Sequence, residues 1–256
     1  MGMIYEYFSR RILWGPFQVI CFTLFLLIIL IYPFNSSIAT ILLFWYISLW
    51  SRIPTLVSDF TKDLDVLDFF TVIIAVHIHT VYAGLFAGIF ASSLWMLSRV
   101  FGPDEPFDFT ISESIAFFFA GFFSPLIYSL TGNLLLTMFI FTAIRYVGIF
   151  VLVAIFFRNH ALYAGITLLV GIPIAFTMNK IMITFLAPFF GTVFDTGLKF
   201  NLPLFLFGGM LTIGAYYIPK YMENKDYFIT LKKKAKKLEA ENLIHADNMN
   251  NYSEFY

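Results

Sequence analysis

Arg145 is the residue whose position most needs a chemical explanation. It stands in "NLLLTMFIFTAIRYVGIFVLVAIFF", a run with no other charge. In hydrocarbon an arginine costs several kcal/mol unless it is paired or solvated, which makes it a site hypothesis by default. It could hold an anionic ligand, line a water-filled cavity, bind helix-end carbonyls, or tie helices together as a structural group. No Asp or Glu falls inside a predicted span. The nearest are Asp68, Glu113 and Asp195, at helix ends or in loops.

A second polar cluster interrupts "DFFTVIIAVHIHTVYAGLFAGIF", residues 68–90. On a helix, His77 and His79 are two positions apart and do not face each other. They share a metal only where the backbone is extended, and zinc or copper needs further ligands. The other histidines, His160 and His245, fall on the opposite side of the predicted layout, so no metal set emerges. With Tyr82, the pair reads as an interfacial cluster that binds water, headgroups or a small ligand. Arg145, His77, His79 and Tyr82 are thus the candidate ligand or structural polar residues.

These side chains have to be positioned by an apolar chain. Of the 256 residues, 60% are hydrophobic and 12% charged, against about 25% charged in a soluble domain. Apolar runs long enough to cross a bilayer recur from end to end. Stretches such as "VICFTLFLLIILIYPF" do not alternate as barrel strands would. Lipid offers no hydrogen bonds, so the spans are helices. The pattern predicts helices at 13–33, 38–51, 66–80, 83–100, 111–131, 134–157, 160–178 and 199–219. The region 180–195, broken by Pro188 and Gly191, reads as a re-entrant segment or an extra span. This is an all-α polytopic transmembrane bundle of about eight spans (seven to nine). Residues 1–219 form the bundle and 220–256 a cytoplasmic tail.

Charge sets the expected orientation. With the N-terminus in the cytoplasm, Arg10, Arg11, Arg52, Lys62, Arg99, Arg158 and the seven lysines from Lys220 onward lie inside. Only Lys180 and Lys199 stay outside. This positive-inside pattern puts both termini in the cytoplasm. Trp14, Trp50 and Trp95 fall near the same boundary. The stretch 66–101 is too long for one crossing, about 54 Å of helix against about 30 Å of hydrocarbon. It must break or fold back, with Gly84 and the cluster from His77 to Tyr82 at the turn.

Ala83, Gly84, Ala87, Gly88 and Ala91 recur at helical spacing and form a flat face for close helix packing, within the bundle or against a partner. Two acidic groups, Asp59 to Asp68 and Asp104 to Glu113, read as solvated loops and helix caps. In the tail, Phe228, Leu231, Ala235 and Leu238 alternate with Lys232, Lys233, Lys234, Lys236 and Lys237. That is a short basic amphipathic helix, suited to anionic lipid or a partner helix. The single Cys21 allows no disulfide within the chain. No P-loop, G-x-S-x-G, H-E-x-x-H or C-x-x-C is present, and nothing points to an enzyme, a cofactor or nucleic acid.

Residues 66–157 resemble the membrane core of the S components of energy-coupling-factor transporters and of the MreD family. The resemblance lies in "YAGLFAGIFASSL", "SIAFFFAGFFSPLIYSL" and "NLLLTMFIFTAIRYVGIFVLV". It implies either a bundle that captures a vitamin or metal and docks on a shared ATPase module, or a non-catalytic member of a membrane assembly. S components usually carry A-x-x-x-A in the first helix, which "LWGPFQVICFTLFLLIILI" lacks.

Two functional expectations follow. One is a non-catalytic membrane subunit or scaffold, partnered by the bilayer, other membrane subunits and anionic lipid at the tail. It expects a filled core around Arg145. The other is a solute-binding or transport bundle, with a cavity at Arg145 and a mouth at the 77–84 break. An intramembrane metalloenzyme is a third and weaker reading. The lack of carboxylates inside the spans favours the subunit.

Overall fold

The computed structural model describes residues 14–57, 66–78, 82–100, 107–195 and 202–222. Among these residues the chain is helical and has no strand. The helices are α1 (Trp14–Ile31), α2 (Ser36–Val57), α3 (Leu67–His77), α4 (Ala83–Val100), α5 (Phe107–Thr131), α6 (Leu134–Phe156), α7 (Ala161–Asp195) and α8 (Leu202–Met222). A 3-10 turn, Arg158–His160, joins α6 to α7. Six helices are long and apolar enough to cross a membrane; α3 and α4 are the shorter apolar ones. The outer surface is apolar as well, with Leu130 78%, Leu169 73% and Phe185 74% exposed. Such a surface suits lipid rather than water. The chain is a multi-pass helical membrane protein.

Local chemistry sets several helix ends. Asn35 Oδ1 accepts from the Ile38 amide at the start of α2, and Asn133 Oδ1 accepts from the Leu136 amide at the start of α6. Both satisfy a first-turn donor that has no partner within its helix. Gly132 adopts φ +60 and turns the chain between α5 and α6, a conformation that costs glycine little.

At the centre stands α3. Leu67 through Ala75 are all buried, at 2% exposure or less. A short helix apolar on every side belongs inside a bundle, and α2, α4, α5, α6 and α7 all touch it. The predicted break at 66–101 is present: α3 ends at His77 and α4 starts at Ala83. Gly84 is not the turn, however. It lies in α4, where an added Cβ would collide with the Phe122 carbonyl oxygen of α5. Opposite it, a Cβ on Gly121 would sit 2.8 Å from the Ala87 carbonyl. Ala83, Gly84, Ala87, Gly88 and Ala91 are all buried. The small-residue face is therefore an internal α4–α5 seam.

Two expected segments differ. Ala161–Asp195 forms one helix that continues through Pro173 and Pro188. Thr177 Oγ1 donates to the Pro173 carbonyl and Thr184 Oγ1 to the Lys180 carbonyl. Membrane helices tolerate prolines where neighbouring helices and local adjustment absorb the freed backbone groups. The second is α2, expected over 38–51 with an extension beyond Arg52 left open, which runs on through Arg52 to Val57.

At about 1.5 Å per residue, the 35 residues of α7 measure about 52 Å, more than the hydrocarbon thickness. A helix of that length fits the hydrocarbon when it is inclined. Asn179 meets Asp68, and Phe190 packs on Phe69 and Phe70 with ring centroids 5.8 and 5.0 Å apart. Those contacts lie about 16 Å apart along α7 but only about 3 Å apart along α3. Accordingly α7 crosses α3 steeply instead of running beside it. On the far side, α8 is tied to α1 by a Gln18 Nε2 bond to the Ala215 carbonyl, and to α2 by Tyr46 and Thr212 hydroxyls 2.8 Å apart.

Candidate functional site

Arg145 finds its partner at the start of α3. Its Nη1 donates to both carboxylate oxygens of Asp68 at 2.6 Å. Asn179 of α7 donates through Nδ2 to Asp68 Oδ2 at 3.0 Å. Arg145 is 4% exposed, Asp68 2% and Asn179 3%. Three helices thus meet at one carboxylate. Asp68 also sits in the first turn of α3, where the helix dipole stabilises a negative charge. A charge-assisted pair with a further donor is the arrangement in which a buried ion pair recovers its desolvation cost.

A ladder of rings continues the layer. Arg52 of α2 lies over Trp95 of α4, with Cζ 3.8 Å from the centroid. Trp95 stacks on Phe117 of α5 at 4.9 Å. Arg145 then covers Phe117 at 4.9 Å and Tyr146 at 4.2 Å. Tyr146 fits against Gly171 of α7, where an added Cβ would meet the ring at 2.5 Å. Each cation rests on a ring face, which carries partial negative charge. Glu113 of α5, 2% exposed, lines the same small cavity as Arg52 and Arg145. The two arginines are accordingly matched in number by two buried acids, Asp68 and Glu113. The Val66 amide, donating to Ser51 Oγ at 3.1 Å, anchors the start of α3 to α2 in the same region.

The expectation that no carboxylate enters the bundle is thereby corrected. Asp68 does lie at a helix end, but that end is itself buried. Arg52, expected at the edge of its helix, is 1% exposed, and Trp95, expected at the interface, is 2% exposed. Trp14 and Trp50 are half-buried. Lys180, expected outside in a loop, lies within α7.

The histidine cluster is a separate place. His77 ends α3 half-buried, and its Nδ1 donates to the Ile73 carbonyl at 3.0 Å. That bond places a proton on Nδ1 and holds the ring against its own helix. Tyr82 stands exposed in the turn before α4. From Asp68 to His77 is about 13 Å of helix, so Arg145 and the break do not form one site. His79 and the lysines Lys232, Lys233, Lys234, Lys236 and Lys237 lie outside the described residues. Among the described residues no group of three metal-ligating side chains assembles.

Asn179 and the ring ladder escaped the sequence reading. Asn179 carries a signal, being a lone amide in "AFTMNKIMITF". The rings carry none, because Phe is abundant along the whole chain. The chain matches no family model, no curated protein and no solved structure.

Proposed function

We propose that this chain is a non-catalytic integral membrane subunit or scaffold of a multi-protein membrane complex. One observation carries the reading: the charged centre is filled by its own side chains. The cavity beside Arg52, Glu113 and Arg145 measures about 10 Å³. That is room for one water at most, whereas a small-molecule site occupies about 300–1,000 Å³. A hollow of about 310 Å³ between α1, α2 and α4 is lined by residues such as Leu24, Leu42 and Phe86 and shares none with the charged layer. The layer ties α2 through α7 together, as a scaffold requires.

In this proposal both termini face the cytoplasm, as the basic loops and tail favour. The lysine-rich tail rests on anionic lipid or a neighbouring subunit. The assembly role that the MreD-like resemblance implies is in line with it. One observation favours a second reading, a solute-binding or transport bundle: Asp68 and Glu113 supply the buried carboxylates that such chemistry uses. That reading requires the Asp68–Arg145 pair to open.

Native mass spectrometry of the protein gently extracted from its own membrane tests both. Partner proteins at fixed stoichiometry support the subunit. A lone bundle with a bound small molecule supports transport. A lone, empty bundle refutes the first reading.

A further inference from the structure

Lys180 stands apart from the charged layer. Lys180 is exposed on α7, inside a helix that meets the criteria for a membrane span. Its neighbour Asn179 bonds Asp68 and, through it, Arg145, which stands at the midpoint of α6 (Leu134–Phe156). Lys180 is therefore deep in the bundle's thickness. Along α7 it lies about 28 Å from Ala161 and about 22 Å from Asp195; with α7 inclined to fit about 30 Å of hydrocarbon these become depths of roughly 16 and 13 Å, still beyond the roughly 6 Å reach of a lysine stem.

The face around it is patterned. Pro173, Thr177, Lys180, Thr184 and Pro188 recur at helical spacing and are all exposed, beside the exposed Ile174, Ile181 and Phe185. Thr177 and Thr184 satisfy their hydroxyls on their own helix, so neither is costly in lipid. The Lys180 ammonium has no such option and meets no acceptor among the described residues. Intramembrane lysines almost always face a partner charge or water, and this one faces outward.

We propose that the Thr177–Lys180–Thr184 face of α7 is the docking surface for a spanning helix of another protein that carries an intramembrane Asp or Glu. Charge complementarity selects the occupant. Among residues whose side chains are described, the acids are Asp68 and Glu113, both 2% exposed and turned inward, so the described helices of a second copy offer no acid to meet Lys180. The proposal rests on the subunit reading and names the chemistry of its contact.

The test compares the full-length wild type with Lys180→Met and Lys180→Arg, each extracted gently from its own membrane for native mass spectrometry. The wild type and Lys180→Arg are expected to carry the partner at fixed stoichiometry. Partner occupancy falls about five- to thirty-fold in Lys180→Met, the size of an interhelical polar contact. The partner's spanning helix contains Asp or Glu, and changing that acid to Lys restores binding to Lys180→Glu. Thermal unfolding of the free Lys180→Met chain, unchanged or improved, shows that the fold is intact. Full partner occupancy in Lys180→Met overturns this contact while leaving the subunit reading standing. A homodimer dependent on Lys180, or a phospholipid that alone is lost in Lys180→Met, overturns the choice of occupant. A wild type with no partner overturns both.

Discussion

Replacing Asp68 by Asn keeps the shape of the side chain and removes its charge, which isolates what the carboxylate does. Asp68 accepts two bonds from Arg145 at 2.6 Å and one from Asn179 at 3.0 Å. With Asn there, the Arg145 guanidinium stays buried without that counter-charge. Breaking a buried pair from one side costs about 3–5 kcal/mol. At about 2–4 °C per kcal/mol for a chain of this size, the midpoint falls by roughly 6–20 °C. The double variant Asp68→Leu with Arg145→Met removes both charges. It should return to near the wild-type midpoint, because replacing both members of a buried pair by apolar groups is often neutral. The residual cost is about 1 kcal/mol for the Asn179 amide that loses its acceptor. The assay is thermal unfolding in mild detergent followed by size exclusion. An Asp68→Asn midpoint within 2 °C of wild type, or a double variant as damaged as the sum of the singles, would refute the pairing.

Other perturbations separate packing from polarity. Gly84→Ala should destabilise by about 1–3 kcal/mol, the usual cost of overpacking, since the new methyl meets Phe122 backbone. Gly15→Ala, with nothing within 4 Å, should be neutral or slightly stabilising; equal effects in unfolding experiments would discount the α4–α5 seam. Trp95→Leu removes the ring under Arg52 and should cost about 2 kcal/mol or more for a desolvated cation–π contact plus the lost volume, read as a lower midpoint. Thr212→Val deletes the partner of the buried Tyr46 hydroxyl and should cost about 0.6–1.7 kcal/mol. Protease cleavage within α8 should rise with it, and unchanged cleavage counts against α8 being held by that bond.

Most of the architecture was legible because a membrane helix is written in long apolar runs. The breaks before Ala83 and at Gly132 were legible too, as polar or glycine punctuation. Errors arose where one residue type serves two ends. Pro188 and Gly191 read as breaking 180–195 into a re-entrant segment or an extra span, yet in lipid the helix is favoured over open backbone and α7 continues through both prolines. Arg52 read as the edge of its helix, with an extension left open, because hydropathy penalises any charge, paired or not. Gly84 read as a turn although its missing side chain serves helix approach. At the site, the unmatched Arg145 pointed to a hidden acid, with Asp68 among the nearest. What the sequence could not reveal was that α3 begins inside the bundle. That depends on five neighbours from distant parts of the chain, and no local window contains them.

The burial of α3 also bears on how the protein is made. Eleven residues, about 16 Å of helix, cannot cross about 30 Å of hydrocarbon, so α3 has little means of lodging in lipid by itself. Its Asp68 is neutralised by groups synthesised 77 and 111 residues later. Through the synthesis of α4, α5 and the first half of α6, the nascent chain carries an acid whose answering charge, Arg145, does not yet exist. The segment must wait at the membrane surface or in the insertion machinery, and it settles only when α6 and α7 arrive to enclose it. The centre of the finished bundle is thus among the last parts to take its place.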